Sequence, residues 1–189
     1  MNPLFLIGYM GCGKTTLGEA LARQMDLRFI DLDEYIEAQQ GMSVVEIFDE
    51  LGEGRFRELE GDALSEVAAM TDVIVGCGGG TPCHGDNMAL MNKAGITVWL
   101  TTSPERITAR LLLPEEKSKR PKIVHLSDDA VLSLVETELA ERSPYYSQSR
   151  LQFDSTDIET AEATERTARR LAIMLSKYIE CDMTPIKSL

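Results

Sequence analysis

The chain has 189 residues, of which 43% are hydrophobic and 26% charged, a balance that fits one water-soluble globular domain. Its net charge of −12 argues against general nucleic-acid binding, and it has no apolar run of about 18 residues to span a membrane. Four cysteines (Cys12, Cys77, Cys83, Cys181) lack C-x-x-C or metal-finger spacing, so reduced thiols in a cytoplasmic protein are expected.

Apolar runs alternate with helical patterns along the chain, which predicts an α/β fold with a mostly parallel sheet. The first run, Leu4-Phe5-Leu6-Ile7, is too short and lacks the positive flank of a signal peptide. It leads into Gly8-Tyr9-Met10-Gly11-Cys12-Gly13-Lys14-Thr15, the pattern G-x-x-x-x-G-K-[ST]. A strand before it and a helix after it are the context that a phosphate-binding loop requires. The glycines let successive backbone N–H groups curl around phosphate oxygens, and the helix adds its positive N-terminal end. Lys14 can reach the β- and γ-phosphates, and the Thr15 hydroxyl can ligate Mg²⁺. The motif alone leaves kinase, GTPase, motor and binding module open.

A helix is expected over about Lys14 to Met25, with Leu17, Leu21 and Met25 on one face. The stretch 27–33 reads as a short strand whose alternation aims Asp31 and Asp33 to the same side. Asp31 is suited to Mg²⁺, and Asp33 to a substrate hydroxyl, unless one of the pair caps the helix from Glu34 to Gln40. Ser43-Val44-Val45-Glu46 has the form of a capping box. The helix that it starts should stop at Gly52, and a second should run from about Gly54 to Met70. Arg55 and Arg57 near the start of that helix oppose its dipole, which suits a nearby anion.

Val73-Ile74-Val75 reads as a buried strand, and Gly78-Gly79-Gly80 as a turn where backbone amides approach a ligand. A short helix over Asn87 to Lys93 precedes the strand Ile96 to Leu100. Ser103 and Pro104 open a helix to about Leu112 that carries Arg106 and Arg110. Residues 113–122 are polar, bounded by prolines and dense in charge, and are expected to form a mobile loop. A long helix should follow from Ser127 to about Arg142, with Val131, Leu132, Val135 and Leu139 inward and a break at Pro144. Leu151 to Phe153 reads as a fifth strand, Thr160 to Tyr178 as the last helix, and 180–189 as a tail.

Together these pieces make the chain resemble the shikimate kinase family over about Leu4 to Tyr178. The motifs are the phosphate loop, Asp31-x-Asp33, Phe56-Arg57-x-x-Glu60, Gly78-Gly79-Gly80, Arg120-Pro121 and Arg142-x-x-x-Tyr146, in that order. The resemblance implies a five-stranded parallel sheet of the nucleoside-monophosphate-kinase type, order 2-3-1-4-5, in one domain over 1–179. Acceptor-binding helices would fall at about 32–61 and a lid at about 112–124. It implies transfer of the γ-phosphoryl of ATP, with Mg²⁺, to the 3-hydroxyl of shikimate. A monomer is expected, since the sequence shows no heptad seam or obvious sticky helix. By the same resemblance Gly11, Cys12, Gly13, Lys14, Thr15, Thr16, Arg110 and Arg120 bind the nucleotide. Thr15 and Asp31 map to the metal, and Asp33, Arg57, Gly79, Gly80 and Arg142 to shikimate, with the arginines on its carboxylate. Lys14, Asp33 and Arg120 would carry the chemistry.

Three positions depart from the family pattern. Cys12 stands where serine or alanine is usual, and Lys122-Ile123 follow Arg120-Pro121 where two leucines are common. The competing readings are a related small-metabolite kinase such as a gluconate kinase, and an ATP-binding module without turnover. The first would not need the carboxylate clamp, and the second would tolerate loss of Lys14, Asp31, Asp33 or Arg120, all of which are present.

Overall fold

Strand β1 (Leu4–Ile7) is buried at every position, and it lies at the centre of a five-stranded parallel sheet of order β2-β3-β1-β4-β5. A strand covered on both faces must be apolar throughout, which explains its uninterrupted Leu-Phe-Leu-Ile run. Its neighbours are β3 (Val73–Gly76), in register Leu4 to Ile74, and β4 (Ile96–Thr101), in register Leu4 to Ile96. The edges are β2 (Arg28–Asp31) and β5 (Leu151–Asp154). The computed structural model describes residues 1–118 and 120–182, the side chains of Pro121 and Asp182 excepted.

Period-two alternation sorts β1 between two helical layers. Leu4 and Leu6 pack with Leu17 and Leu21 of α1 (Lys14–Met25) and with Leu171 and Leu175 of α9 (Ala161–Asp182). Phe5 and Ile7 face the other layer, which contains α2 (Leu32–Gln40), α3 (Val44–Ala68) and α4 (Asn87–Ala94). That layer also holds α5 (Pro104–Leu111) and α8 (Asp128–Tyr146).

Several elements differ from the sequence reading. The chain leaves β2 at Asp31, not Asp33, and helix α2 begins at Leu32. Asp31 is therefore the cap, accepting the Asp33 backbone N–H at 3.1 Å, and Asp33 sits in the first helical turn. The two carboxylates converge by the geometry of a strand-to-helix corner, not by strand alternation. The capping box at Ser43 forms, and Gly52, at φ 80°, kinks α3 where a break was expected.

Where a loop is expected, two single-turn helices form, α6 (Pro114–Lys117) and α7 (Pro121–Val124), each opened by proline at a position whose missing N–H costs nothing. Ile123 is fully buried and fastens α7 to the core. Lys119, within the expected lid, lies outside the described residues. Helix α8 continues through Pro144 to Tyr146. Proline there removes one backbone hydrogen bond in the last turn. The fully buried Tyr146, whose hydroxyl donates to Gly79 O at 2.6 Å, holds that turn in place. Leu134, rather than Leu132, joins Leu139 against the core. Helix α9 extends past Tyr178 to Asp182, and the remainder of the expected tail, 183–189, lies outside the described residues.

Candidate functional site

The loop between β1 and α1 opens at the carboxyl end of the central strand, where ligands of open α/β sheets bind. Gly13 precedes α1 with φ 98°, a left-handed conformation that favours glycine, and a methyl built on it would run into Ile158 Cδ1. Having no side chain, Gly13 leaves the first-turn N–H groups of Lys14, Thr15 and Thr16 uncapped and open to an anion. The Lys14 ammonium donates to Gly8 O at 2.8 Å and to Tyr9 O at 3.0 Å, folded along its own loop. Cys12 is buried, with its Sγ 3.9 Å from that ammonium.

This loop is the floor of a cleft of about 850 Å³. Gly11, Gly13, Lys14, Thr15, Thr16, Asp31, Asp33, Gly79, Arg110 and Arg120 all line it, so most of the residues singled out in the sequence share one cavity. Cys12 does not line it and meets it only through its neighbours on the loop. The Thr15 hydroxyl lies 2.9 Å from Asp31 Oδ2. These are two hard oxygens at the phosphate end of the cleft, a donor set that suits Mg²⁺, which is usually held by one or two protein oxygens with phosphates and water.

Arg110 joins two segments. It donates to Gly11 O at 3.0 Å, to Thr156 O at 2.8 Å and to Glu159 Oε1 at 3.0 Å. It thereby ties the phosphate loop to the segment between β5 and α9. Arg120 reaches the cleft from α7's N-terminal side, pairs with Glu116 at 2.7 Å, and lies 4.0 Å from Met10 Sδ.

The tri-glycine turn borders the same cleft. A methyl built on Gly78 would sit 3.1 Å from Asp33 Oδ1. One on Gly79 would sit 3.4 Å from Arg142 Nη1, and one on Gly80 would sit 3.0 Å from Arg57 Nη2. Three separated parts of the chain, α2, α3 and α8, thus deliver one carboxylate and two guanidinium groups to one turn. At Gly78 and Gly80 an added methyl would be a tight contact, so Asp33 and Arg57 would have to shift by a few tenths of an ångström. Arg57 and Arg142 stand against the turn and not among the residues lining the main cleft.

Burial pushes the Asp33 carboxyl up to about 6, helped by the charges of Asp31 and Glu60 and opposed by Lys14. A carboxyl poised in this range can orient a hydroxyl and exchange a proton near neutral pH.

Four acidic residues to which the motifs above assign no role organise the cations. Glu60, within the Phe56-Arg57-x-x-Glu60 motif, is 1% exposed, lies 2.8 Å from Arg57 and accepts the Thr81 hydroxyl at 2.5 Å. Glu138 lies 2.8 Å from Arg142, while Glu116 and Glu159 serve Arg120 and Arg110. The signal was present as acid–arginine spacings of three or four residues on one helix, for Glu60 and Glu138.

A family model described as shikimate kinase matches residues 10–172. The chain belongs to the shikimate kinase family. The shikimate kinase of Bacteroides fragilis is 42% identical over 179 residues, covering 95% of this chain and 99% of that one. That of Phocaeicola vulgatus is 43% identical over 177 residues, covering 94% and 100%. Among solved structures, the shikimate kinase of Bacteroides thetaiotaomicron superposes with a TM-score of 0.88 at 41% identity, over 93% of this chain and 98% of that one. The Acinetobacter baumannii shikimate kinase, solved in complex with shikimate, gives a TM-score of 0.78 at 28% identity over 94% of both chains. The five-stranded parallel sheet of order 2-3-1-4-5 that the resemblance implies is the order found here.

Proposed function

We propose that this protein transfers the γ-phosphoryl group of ATP to the 3-hydroxyl of shikimate, giving shikimate 3-phosphate and ADP. The observation that carries the proposal is the meeting of Asp33, Arg57 and Arg142 at Gly78-Gly79-Gly80, beside a phosphate loop. A carboxylated, hydroxylated ring suits that arrangement: guanidinium groups for the carboxylate, and a carboxylate for a hydroxyl.

The loop amides and Lys14 bind the phosphates, with Lys14 exchanging its hydrogen bonds to Gly8 and Tyr9 carbonyls for phosphate oxygens. Thr15 and Asp31 would hold Mg²⁺, which neutralises phosphate charge when bound. Arg57 and Arg142, with the Gly80 amide, hold the acceptor carboxylate and so aim the ring. Asp33 orients the 3-hydroxyl toward the γ-phosphorus and receives its proton as the new P–O bond forms. The bond to the ADP oxygen breaks in the same displacement. Arg120, at the mouth of the cleft, stabilises charge on the transferring group. Arg110 serves the nucleotide by fixing the wall formed by Gly11 and Thr156.

The test is ADP release by the purified protein with ATP, Mg²⁺ and shikimate, and with gluconate as a control acceptor. Turnover that depends on shikimate and is absent with gluconate is the expected result. ADP release indifferent to shikimate would remove the proposal.

A further inference from the structure

The Glu138 carboxylate, 13% exposed, lies where three segments meet. Its Oε2 accepts the Tyr9 hydroxyl at 2.7 Å and the Arg142 Nη2–H at 2.8 Å. Its Oε1 lies 3.5 Å from the Lys122 ammonium, itself 70% exposed. The Arg142 guanidinium carbon stands 5.2 Å from the centroid of the Tyr9 ring. Tyr9 belongs to the phosphate loop and is 1% exposed. Arg142 is therefore held on one face by an aromatic ring and at one nitrogen by a carboxylate. Its other nitrogen, Nη1, faces Gly79.

We infer that Glu138 is a positioning residue for Arg142, locking the guanidinium plane so that one edge is presented to the acceptor carboxylate. The inference rests on the acceptor reading proposed above. A guanidinium is a good carboxylate fork only when its plane is fixed, because both hydrogen bonds depend on one orientation. An arginine on a long side chain otherwise spends rotamer freedom on each binding event. Glu138 and the Tyr9 ring remove that freedom before the acceptor arrives. Lys122 contributes little, because an exposed pair at this distance is screened by solvent. The opposite role, a carboxylate that competes with the acceptor for Arg142, predicts the opposite change in affinity.

Steady-state kinetics and shikimate titration calorimetry on Glu138→Ala, Glu138→Gln, Tyr9→Phe and the double variant Tyr9→Phe/Glu138→Ala test the role. Glu138→Ala should raise the KM and Kd for shikimate about tenfold, with kcat and the KM for ATP within about twofold. Glu138→Gln, whose amide oxygen can accept both donors, should recover most of that loss. Tyr9→Phe keeps the ring and should raise the shikimate KM only a few fold. It should add nothing to Glu138→Ala, since the two act through one carboxylate. An unchanged or tighter shikimate Kd in Glu138→Ala would overturn the inference. So would equal losses for ATP and shikimate in the soluble Glu138→Gln variant, or additivity in the double variant. Wild-type protein that neither binds nor phosphorylates shikimate would instead overturn the acceptor reading itself.

Discussion

Arg57 Nη1 lies 2.8 Å from Glu60 Oε2, one helical turn apart on α3, and the Glu60 side chain is almost wholly buried. The same carboxylate accepts the Thr81 hydroxyl beside the tri-glycine turn. Glu60 thus joins α3 to the turn through two different partners. Removing Glu60 takes away the shorter of Arg57's two carboxylate contacts, leaving Glu53 at 3.2 Å, and takes the acceptor from the buried Thr81 hydroxyl. Glu60→Ala should cost about 3 kcal/mol of stability, the low end for buried pairs because Arg57 is 23% exposed. Urea denaturation measures it, and a loss below about 1 kcal/mol would mean that water replaces the carboxylate.

The elevated Asp33 carboxyl makes activity and stability run in opposite directions with pH. Its folded-state value, about 6, lies above the ordinary 3.8, so the folded protein holds this proton more tightly than the unfolded chain does. Stability from this group is fully present below pH 3.8 and is lost as pH rises through about 6. Asp33→Asn should therefore stabilise the protein at pH 7.5, by up to about 3 kcal/mol, and leave it little changed near pH 3.5. In the proposed mechanism Asp33 acts as the carboxylate, so kcat/KM for the acceptor should fall with a one-proton slope below about pH 6. A profile flat from pH 5 to 8 would remove Asp33 from the chemistry.

A methyl on Gly80 would stand 3.0 Å from Arg57 Nη2, and Arg57 is tethered there by Glu60 at 2.8 Å and Glu53 at 3.2 Å. Gly80→Ala should push the guanidinium aside. Shikimate KM should rise about fivefold to twentyfold, the effect of about 1–2 kcal/mol of local overpacking. ATP KM should stay within about twofold, and thermal stability should drop by less than about 1 kcal/mol because the arginine tip can move. A comparable rise in both Michaelis constants would show that the turn shapes the nucleotide side as well.

Arg110 donates to the carbonyls of Gly11 and Thr156, so it braces the phosphate loop from outside. Arg110→Ala should raise the KM for ATP about tenfold or more while sparing shikimate binding measured without nucleotide, given roughly 1.5–3 kcal/mol for charge-assisted contacts. Lysine cannot span both carbonyls with a planar fork, so Arg110→Lys should recover only part of the loss. Equal ATP affinity in the alanine variant would mean that the loop holds its shape without the brace.

How far the site could be read in the sequence depended on whether its chemistry follows local pattern or tertiary arrival. The phosphate loop was plain, because an apolar strand, spaced glycines and a helix start are all local. The capping box at Ser43 and the kink at Gly52 were local too. In the sequence Asp33 reads as a strand residue, since alternation has the same pattern whether the chain extends or turns at Asp31. In the sequence Pro144 reads as a helix break, whereas in the fold the buried Tyr146 overrides the local penalty of proline. The segment before Asp128 looked like an open loop, for its charge concealed that Ile123 is a core residue. Glu60 and Glu138 gave the faintest signal, since a glutamate on a helix ordinarily faces water. Only the folded chain brings Tyr9 to Glu138 or Thr81 to Glu60.

The central position of β1 has a consequence for biosynthesis. Both of its partners, β3 and β4, are made long after it, so Leu4–Ile7 leaves the ribosome with its hydrogen-bonding edges bare. At about 5–20 residues per second it waits several seconds for Val73–Gly76 to emerge. During that interval the nascent chain carries an apolar ribbon whose edges no neighbouring strand can yet pair, and slow translation between Asp31 and Val73 would lengthen the exposure of those edges to chaperones and to other nascent chains.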